Sequence, residues 1–133
     1  MTGIERVCSF LEEAQTYYLA TEEGDQPRVR PFGTVLIYEG KLYIQTGRSK
    51  EVSRQLSVNP KAELCAFNGI KWIRISGELV DDNRKTPKEA MLEKYPQLKR
   101  IYSADDDNTQ VMYLKNAVAV FYSFTEASET VRF

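Results

Sequence analysis

Short β-rich segments separated by tight-turn signals recur along the chain, and this pattern constrains the fold more than any other feature. Glu39-Gly40 and Asn68-Gly69 are dipeptides typical of short hairpin loops between antiparallel strands. Because closing such strands into a barrel removes exposed edges, the pattern predicts a mainly β fold, a small antiparallel barrel of about five to seven strands. Seven strands are expected, over residues 17–21, 28–38, 42–45, 62–67, 72–80, 111–114 and 117–124, and residues 129–133 are a further short candidate.

Capping signals and apolar periodicity predict helices beside this sheet. A capping box headed by Thr2 starts the first helix, and a second capping box headed by Thr86 starts the last. Ser49 is the expected N-cap of the helix between them. Residues 97–110 are polar and show no regular pattern. The predicted helices span residues 3–15, 49–58 and 86–95.

A chain of 133 residues has the size of one domain, so residues 1–133 are expected to form a single unit. The formal net charge is −1, which gives no general attraction for nucleic acid or for an anionic membrane. No apolar run approaches the roughly 20 residues of a membrane-spanning helix. Cys8 and Cys65 lie far apart in apolar surroundings, which favours buried free thiols and a cytoplasmic location.

The chain contains no histidine, and this limits its possible chemistry. Ser–His and Cys–His catalytic arrangements are excluded, as is a metal site built on imidazole. Two isolated cysteines do not form a zinc site, so no metal ligands are predicted. The residues do not identify a catalytic side chain, and a bound cofactor is expected to supply the reactive group if the protein is an enzyme.

Residues 46–50, Thr-Gly-Arg-Ser-Lys, lie where a predicted strand is followed by a predicted helix. Ser49 is placed next to the unpaired N–H groups of the helix start, where the helix dipole is positive. Arg48 and Lys50 add positive charge, and Thr46 adds a hydroxyl. This combination suits an anion such as phosphate. The same residues also fit a capped turn with solvated cations, and the local sequence leaves both interpretations open.

Two strands place a cation beside other candidate site residues. Arg28 and Arg30 share one face of a strand because strand side chains repeat every two residues. Pro31 lacks an N–H, which predicts that this part of the strand lies at a sheet edge or a bulge. Trp72 and Arg74 also share a face, which suits either a binding surface or simple packing at the rim of the core.

Taken in order, five segments of the chain resemble the pyridoxamine 5′-phosphate oxidase-like superfamily, the FMN-binding split barrels. The resemblance implies a six-stranded antiparallel split barrel with flanking helices. It also implies a homodimer that binds two FMN molecules in clefts at the subunit interface. The segments are YYLAT (17–21), QPRVRPFG (26–33), EGKLYIQTGRSKEVSRQLSVNP (39–60), WIRISGE (72–78) and AVAVFYSF (117–124).

The resemblance also implies roles for residues in these segments. Arg30 would contact the FMN phosphate or ribityl chain. Ser49 and Lys50 would bind the phosphate, with Thr46 nearby. Backbone groups would bind the polar edge of the ring near Pro31, Phe32 and Gln45. A further approach to the cofactor, from the same or the second subunit, would come from Trp72 or Arg74.

The chain departs from the true oxidase because it lacks the Arg-x-His element that binds the pyridoxal substrate near the C-terminus. The missing histidine also counts against the haem-binding members of the superfamily. The resemblance therefore implies an FMN-dependent oxidoreductase that acts on another small-molecule substrate. NAD(P)H could supply the electrons, but it would have to bind transiently, since the chain has no G-x-G-x-x-G dinucleotide fingerprint. The alternative is a non-catalytic protein that binds, stores or carries electrons on FMN or a deazaflavin. An oligonucleotide-binding barrel is a third interpretation, but the chain has no sustained basic stripe.

Overall fold

A computed structural model describes residues 1–133 as one antiparallel sheet with three flanking α-helices. The strands are β1 Tyr17–Glu23, β2 Gln26–Phe32, β3 Leu36–Tyr38, β4 Lys41–Gly47, β5 Lys61–Phe67, β6 Lys71–Asp81, β7 Thr109–Ser123 and β8 Glu129–Arg132. The helices are α1 Gly3–Ala14, α2 Glu51–Val58 and α3 Lys85–Lys94, and a 3₁₀ turn spans Pro96–Arg100.

Strand order along the sheet is β2-β1-β5-β6-β7-β4-β3, and β8 pairs with the free side of β7. The long strand β7 joins both parts of the fold, since its first half pairs with β4 and its second half with β8. Six strands have seven or more residues, and β3 and β8 are shorter. The predicted mainly β split barrel with flanking helices is confirmed, with two short strands added to the six.

Alternation of side chains along the strands builds the main apolar core of 21 buried residues, beside a small second cluster of Tyr43, Met91 and Val111. On β6, Ile73, Ile75 and Leu79 face inward, as their spacing predicts, whereas Arg74 and Ser76 face outward. The predicted capping box at Thr2 is present and starts α1, which packs an apolar face on the core. None of the helices is long and apolar enough to cross a membrane.

The predicted continuous strand over residues 28–38 is wrong, because the sheet is interrupted between Phe32 and Leu36. Tyrosine side chains form hydrogen bonds with the main-chain groups of this interruption. The Tyr17 hydroxyl donates to the Thr34 carbonyl (2.7 Å). The Val35 N–H donates to the Tyr95 hydroxyl oxygen (3.1 Å). The 33–35 segment, which links the two edges of the sheet, is therefore fixed by contacts far apart in sequence.

The two strands predicted over 111–114 and 117–124 form one strand, β7, with an irregularity in the middle. Asn116 has a φ of 54°, and the register with β6 shifts between Ser76 and Glu78. Gly77 lies at this shift, where a Cβ would lie 3.2 Å from the Lys115 carbonyl oxygen. A glycine opposite a bulge lets the strand bend and continue instead of ending.

Two predicted N-caps are wrong. Helix α2 begins at Glu51 with Lys50 at the N-cap, so Ser49 is not the cap. Helix α3 begins at Lys85, so Thr86 lies inside it. The Ser49 N–H donates to the Asn108 side chain (3.0 Å), and this distant contact holds the residue in the loop before the helix.

The two cysteines are both free, but only one is buried. Cys8 lies in the core on α1. The prediction that Cys65 is buried is wrong, because it occupies an outward position on β5 between the inward Leu64 and Ala66.

Candidate functional site

A cleft of about 420 Å³ lies beside the β2 edge of the sheet. One wall is the end of β2 and the interruption that follows it, from Arg30 to Thr34. The floor is formed by the end of β4 and the start of α2, and the opposite wall by residues between Tyr95 and Tyr102. Pro31 lies on the edge strand β2, as its missing N–H predicts.

Six of the nine residues predicted to bind a cofactor line this cleft, although they come from separate segments of the chain. The predicted roles of these residues toward a cofactor stay predictions. The six are Arg30, Pro31, Phe32, Gln45, Thr46 and Lys50.

Arg30 is held by neutral acceptors and by no carboxylate. Its Nη1 donates to the Leu19 carbonyl (3.0 Å) and to the Thr21 hydroxyl (2.8 Å), and its Nη2 donates to Gln55 Oε1 (2.7 Å). Burial lowers the pKa of the Arg30 guanidinium, and the nearby Glu51 acts in the opposite direction. A guanidinium has five N–H donors, so this arrangement fixes the group and leaves donors for a ligand in the cleft.

Gln55 is the centre of this polar network, and sequence reasoning missed it. Its Oε1 also accepts a hydrogen bond from the Thr21 hydroxyl (2.6 Å). Gln55 and Thr21 are both 3 % exposed. Helical spacing could have revealed its burial, because Val52 and Leu56 are buried on the same face of α2 as this amide. A buried amide on an apolar helix face needs a polar partner, and Arg30 supplies one.

The loop of residues 46–50 uses one of its two cations internally. Arg48 donates to Asp81 (3.0 Å) and to Asn83 (2.9 Å). Its main-chain N–H donates to the Asn108 carbonyl (2.7 Å). Lys50, in contrast, makes no ion pair or side-chain hydrogen bond and lines the cleft. Of the two cations, only Lys50 is free for an anion.

The wall opposite Arg30 comes from the end of the last predicted helix, at Tyr95, and from the polar, irregular segment that follows it. The hydroxyl of Tyr95 is occupied by the main chain of Val35, so its ring has a fixed position beside the cleft. Leu98 and Tyr102 follow on the 3₁₀ turn and just after it. The signal was a tyrosine on each side of the Pro96 break, Tyr95 just after α3 and Tyr102 in the polar segment that follows.

Three predicted site residues do not line this cleft. Ser49 lies in the loop before α2 and is exposed. Trp72 stacks on Tyr122, with the ring centroids 5.4 Å apart. Arg74 pairs with Glu63 at 3.2 Å on the outer face of β6. Any contribution of Trp72 or Arg74 to a cofactor site would therefore have to come from a second subunit.

A second cavity, of about 260 Å³, lies between α1 and the ends of β6 and β7. Its cations are already paired. Arg6 contacts Glu129 at 2.7 Å, and Lys71 contacts Glu126 at 3.3 Å. The larger cleft is better suited to an anion, because Arg30 and Lys50 have no carboxylate partner there.

The family model of pyridoxamine 5′-phosphate oxidase matches residues 4–121. Among solved structures, a NimC/NimA family protein from Clostridium acetobutylicum is 45 % identical, with a TM-score of 0.95. This match covers 98 % of the present chain and 92 % of the other. The sequence has no match among curated proteins.

Two more distant structures share the fold. A pyridoxamine 5′-phosphate oxidase-related, FMN-binding protein from Nostoc punctiforme is 13 % identical, with a TM-score of 0.63 and coverage of 98 % and 94 %. A heme-binding protein from Mycobacterium smegmatis is 15 % identical, with a TM-score of 0.64 and coverage of 92 % and 57 %. At these identities the similarity supports the split-barrel fold alone.

Proposed function

Because this chain belongs to the pyridoxamine 5′-phosphate oxidase family, we propose that its cleft binds FMN and that the protein is an FMN-dependent oxidoreductase. The substrate in this proposal is a small molecule other than pyridoxamine phosphate. An FMN-binding protein with the same fold supports the choice of cofactor. The missing histidine supports the choice of another substrate, since the pyridoxal-binding Arg-x-His element is absent.

The observation that carries this proposal is that two cationic side chains in the cleft form no ion pair. Arg30 and Lys50 both line the cleft, and neither contacts a carboxylate. Most other arginines of the chain are paired, including Arg28 with Glu23 at 3.0 Å. Arg30 is half-buried, and a half-buried cation without a counter-ion is costly, so an anionic ligand would stabilise it. Lys50 is exposed and would add a second positive charge toward the same ligand. The phosphate of FMN has the required charge.

The residues of this chain suit the remaining parts of FMN as follows. Residues 32–34, at the interruption after β2, line the cleft, and main-chain groups of Phe32 and Gly33 would pair with the polar atoms of a flat heterocycle. Gln45 is buried at the floor, with its amide donating to the Thr46 carbonyl (3.0 Å). When bound, FMN supplies hydride transfer, so the protein has only to bind the cofactor, orient it and exclude water.

The binding experiment compares matched variants. Purified protein is mixed with FMN and desalted, and retained flavin is measured by absorbance. Arg30→Gln and Lys50→Gln should each weaken FMN binding about 10- to 100-fold, the size of a charge-assisted contact. Arg28→Gln, on the same strand but paired with Glu23, is the control and should bind normally. A parent protein that retains no FMN would contradict the proposal.

Turnover needs a separate test, because flavin binding alone fits a second function. In that alternative the protein binds, stores or carries electrons on FMN or a deazaflavin without a reaction of its own. The loaded protein is supplied with NADH or NADPH and a panel of quinones and nitroaromatics. Steady oxidation of the nicotinamide with an acceptor supports the oxidoreductase, and no turnover across the panel favours the carrier.

We further propose a cytoplasmic homodimer whose second subunit borders the cofactor cleft. The outer sheet face carries large exposed side chains near Trp72, including Phe67 (56 % exposed) and Phe124 (81 % exposed). Such aromatic groups beside Arg74 are common at protein interfaces. Light scattering should give twice the monomer mass, and a monomeric mass would contradict the dimer. The two free thiols support a reducing compartment.

A further inference from the structure

Tyr102 has an unusual position among the tyrosines of this chain. It lines the cleft together with Arg30, Thr46 and Lys50, but from the opposite wall. The hydroxyls of Tyr17, Tyr43 and Tyr95 each bond within the protein, to Thr34, Asp82 and Val35 respectively. The Tyr102 hydroxyl makes no hydrogen bond in the chain, although its side chain is half-buried. A donor is therefore available at the anion-binding part of the cleft.

The location of this hydroxyl is set by Gly47, in the loop that carries Lys50. A Cβ on Gly47 would lie 3.1 Å from the Tyr102 hydroxyl oxygen and 3.2 Å from its Cε1. The glycine thus leaves the space that the phenol occupies directly against the loop main chain. Tyr102 is placed over the strand-to-helix junction and not at the far end of the cleft.

The backbone on both sides of Tyr102 is fixed. Its N–H donates to the Leu98 carbonyl at 2.8 Å, which ties it to the 3₁₀ turn. Asp106 accepts hydrogen bonds from the N–H groups of Ser103 (2.9 Å) and Thr109 (2.7 Å) and closes the following loop. Asn108 in that loop holds the N–H of Ser49. The Tyr102 wall and the 46–50 loop are therefore one connected assembly.

We propose that the Tyr102 hydroxyl donates a hydrogen bond to the phosphate of the bound flavin, opposite Arg30 and beside Lys50. This inference rests on the proposed FMN-binding function. A phenol donor to an anion forms a charge-assisted hydrogen bond, which is stronger than one between neutral groups. Two cations and a neutral donor would then surround the phosphate from different walls, which favours a phosphorylated flavin over its dephosphorylated form.

The test uses Tyr102→Phe, which removes only the hydroxyl. The ring must be kept because it also borders a separate hollow of about 310 Å³ lined by Glu89 and Glu93. Dissociation constants for FMN and riboflavin are measured by quenching of flavin fluorescence. The variant should bind FMN about 10-fold more weakly and riboflavin within about 2-fold of the parent protein. Inorganic phosphate should also compete less effectively against FMN in the variant.

Tyr113→Phe is the matched control, because Tyr113 is half-buried, makes no hydroxyl hydrogen bond and lies outside the cleft. It should leave both flavin affinities unchanged. Equal weakening of FMN and riboflavin in Tyr102→Phe would mean that the hydroxyl contacts another part of the flavin, and would overturn the inference. An unchanged FMN affinity would overturn it as well. A parent protein that binds no FMN would overturn the proposed function together with this inference.

Discussion

Replacing Gln55 by leucine tests the network that fixes Arg30. The Gln55 side-chain oxygen accepts two hydrogen bonds, from the Thr21 hydroxyl at 2.6 Å and from Arg30 Nη2 at 2.7 Å. Leucine has a similar size and accepts neither. The hydroxyl and one guanidinium N–H would lose their acceptor inside the protein, while the apolar face of α2 would gain one more apolar residue.

The expected magnitude follows from these two bonds. A neutral hydrogen bond contributes about 1 kcal/mol, and a bond to a charged group contributes about 1.5–3 kcal/mol. Arg30 is only half-buried, so water can replace part of its lost hydrogen bond. Burial of the leucine side chain offsets a further part of the lost stability. We expect Gln55→Leu to lower the free energy of unfolding by about 2 kcal/mol.

The assay is urea unfolding at constant protein concentration, with a double-mutant cycle that includes Thr21→Val. Because Gln55 and Thr21 are hydrogen-bonded, the two changes should be coupled by about 0.5–1.5 kcal/mol. Gln26→Leu, at an exposed position of β2, is the control and should change stability by less than about 0.5 kcal/mol. A loss below about 0.5 kcal/mol for Gln55→Leu, with additive effects in the cycle, would refute this account of the network.

Two further predictions concern stability. Gly77→Ala should cost about 1–2 kcal/mol in urea unfolding, because the added Cβ would lie 3.2 Å from the Lys115 carbonyl oxygen and 3.3 Å from Ala117 Cα. Gly33→Ala, whose Cβ would meet its nearest neighbour at 3.5 Å, is the control and should be nearly neutral; equal losses would contradict the steric argument. Hydrogen bonds from Arg84 hold the pKa of Asp82 well below its usual range. The ionised Asp82 carboxylate therefore stabilises the fold above about pH 4, and this stabilisation is lost as the pH falls further. Asp82→Asn should therefore be less stable than the parent at pH 7, with a difference that shrinks below pH 4 in unfolding curves at several pH values; a constant difference would count against this role of the carboxylate.

Local signals in the sequence were sufficient where the structure depends on local contacts. The capping box at Thr2 is one case, since the side chains of Thr2 and Glu5 bond to each other across the first helical turn. The alternation on β6 is another, because period two alone assigns Ile73 and Ile75 to the core. The order of the family segments then identified the fold.

The sequence failed where distant groups decide the conformation. Ser49 is a good N-cap by type, but Asn108, 59 residues away, binds its N–H instead. The 28–38 strand is interrupted because Tyr95 takes up the main-chain groups of Val35. The same reason explains why Tyr102 was missed, since only the folded chain brings residues 95–102 to the cleft. Side-chain to main-chain contacts of this kind have no local sequence pattern.

The interruption at residues 33–35 also determines how the cleft responds to a ligand. Lys94 donates to the Val35 carbonyl at 2.6 Å and also contacts Glu12 on α1 at 2.8 Å, so this wall is connected to two helices as well as to the sheet. Moving it requires several hydrogen bonds to break together, and amide hydrogen exchange at Val35 should therefore be as slow as in the core strands. A wall that is already ordered loses little conformational entropy on binding, so a ligand in this cleft meets a preorganised surface.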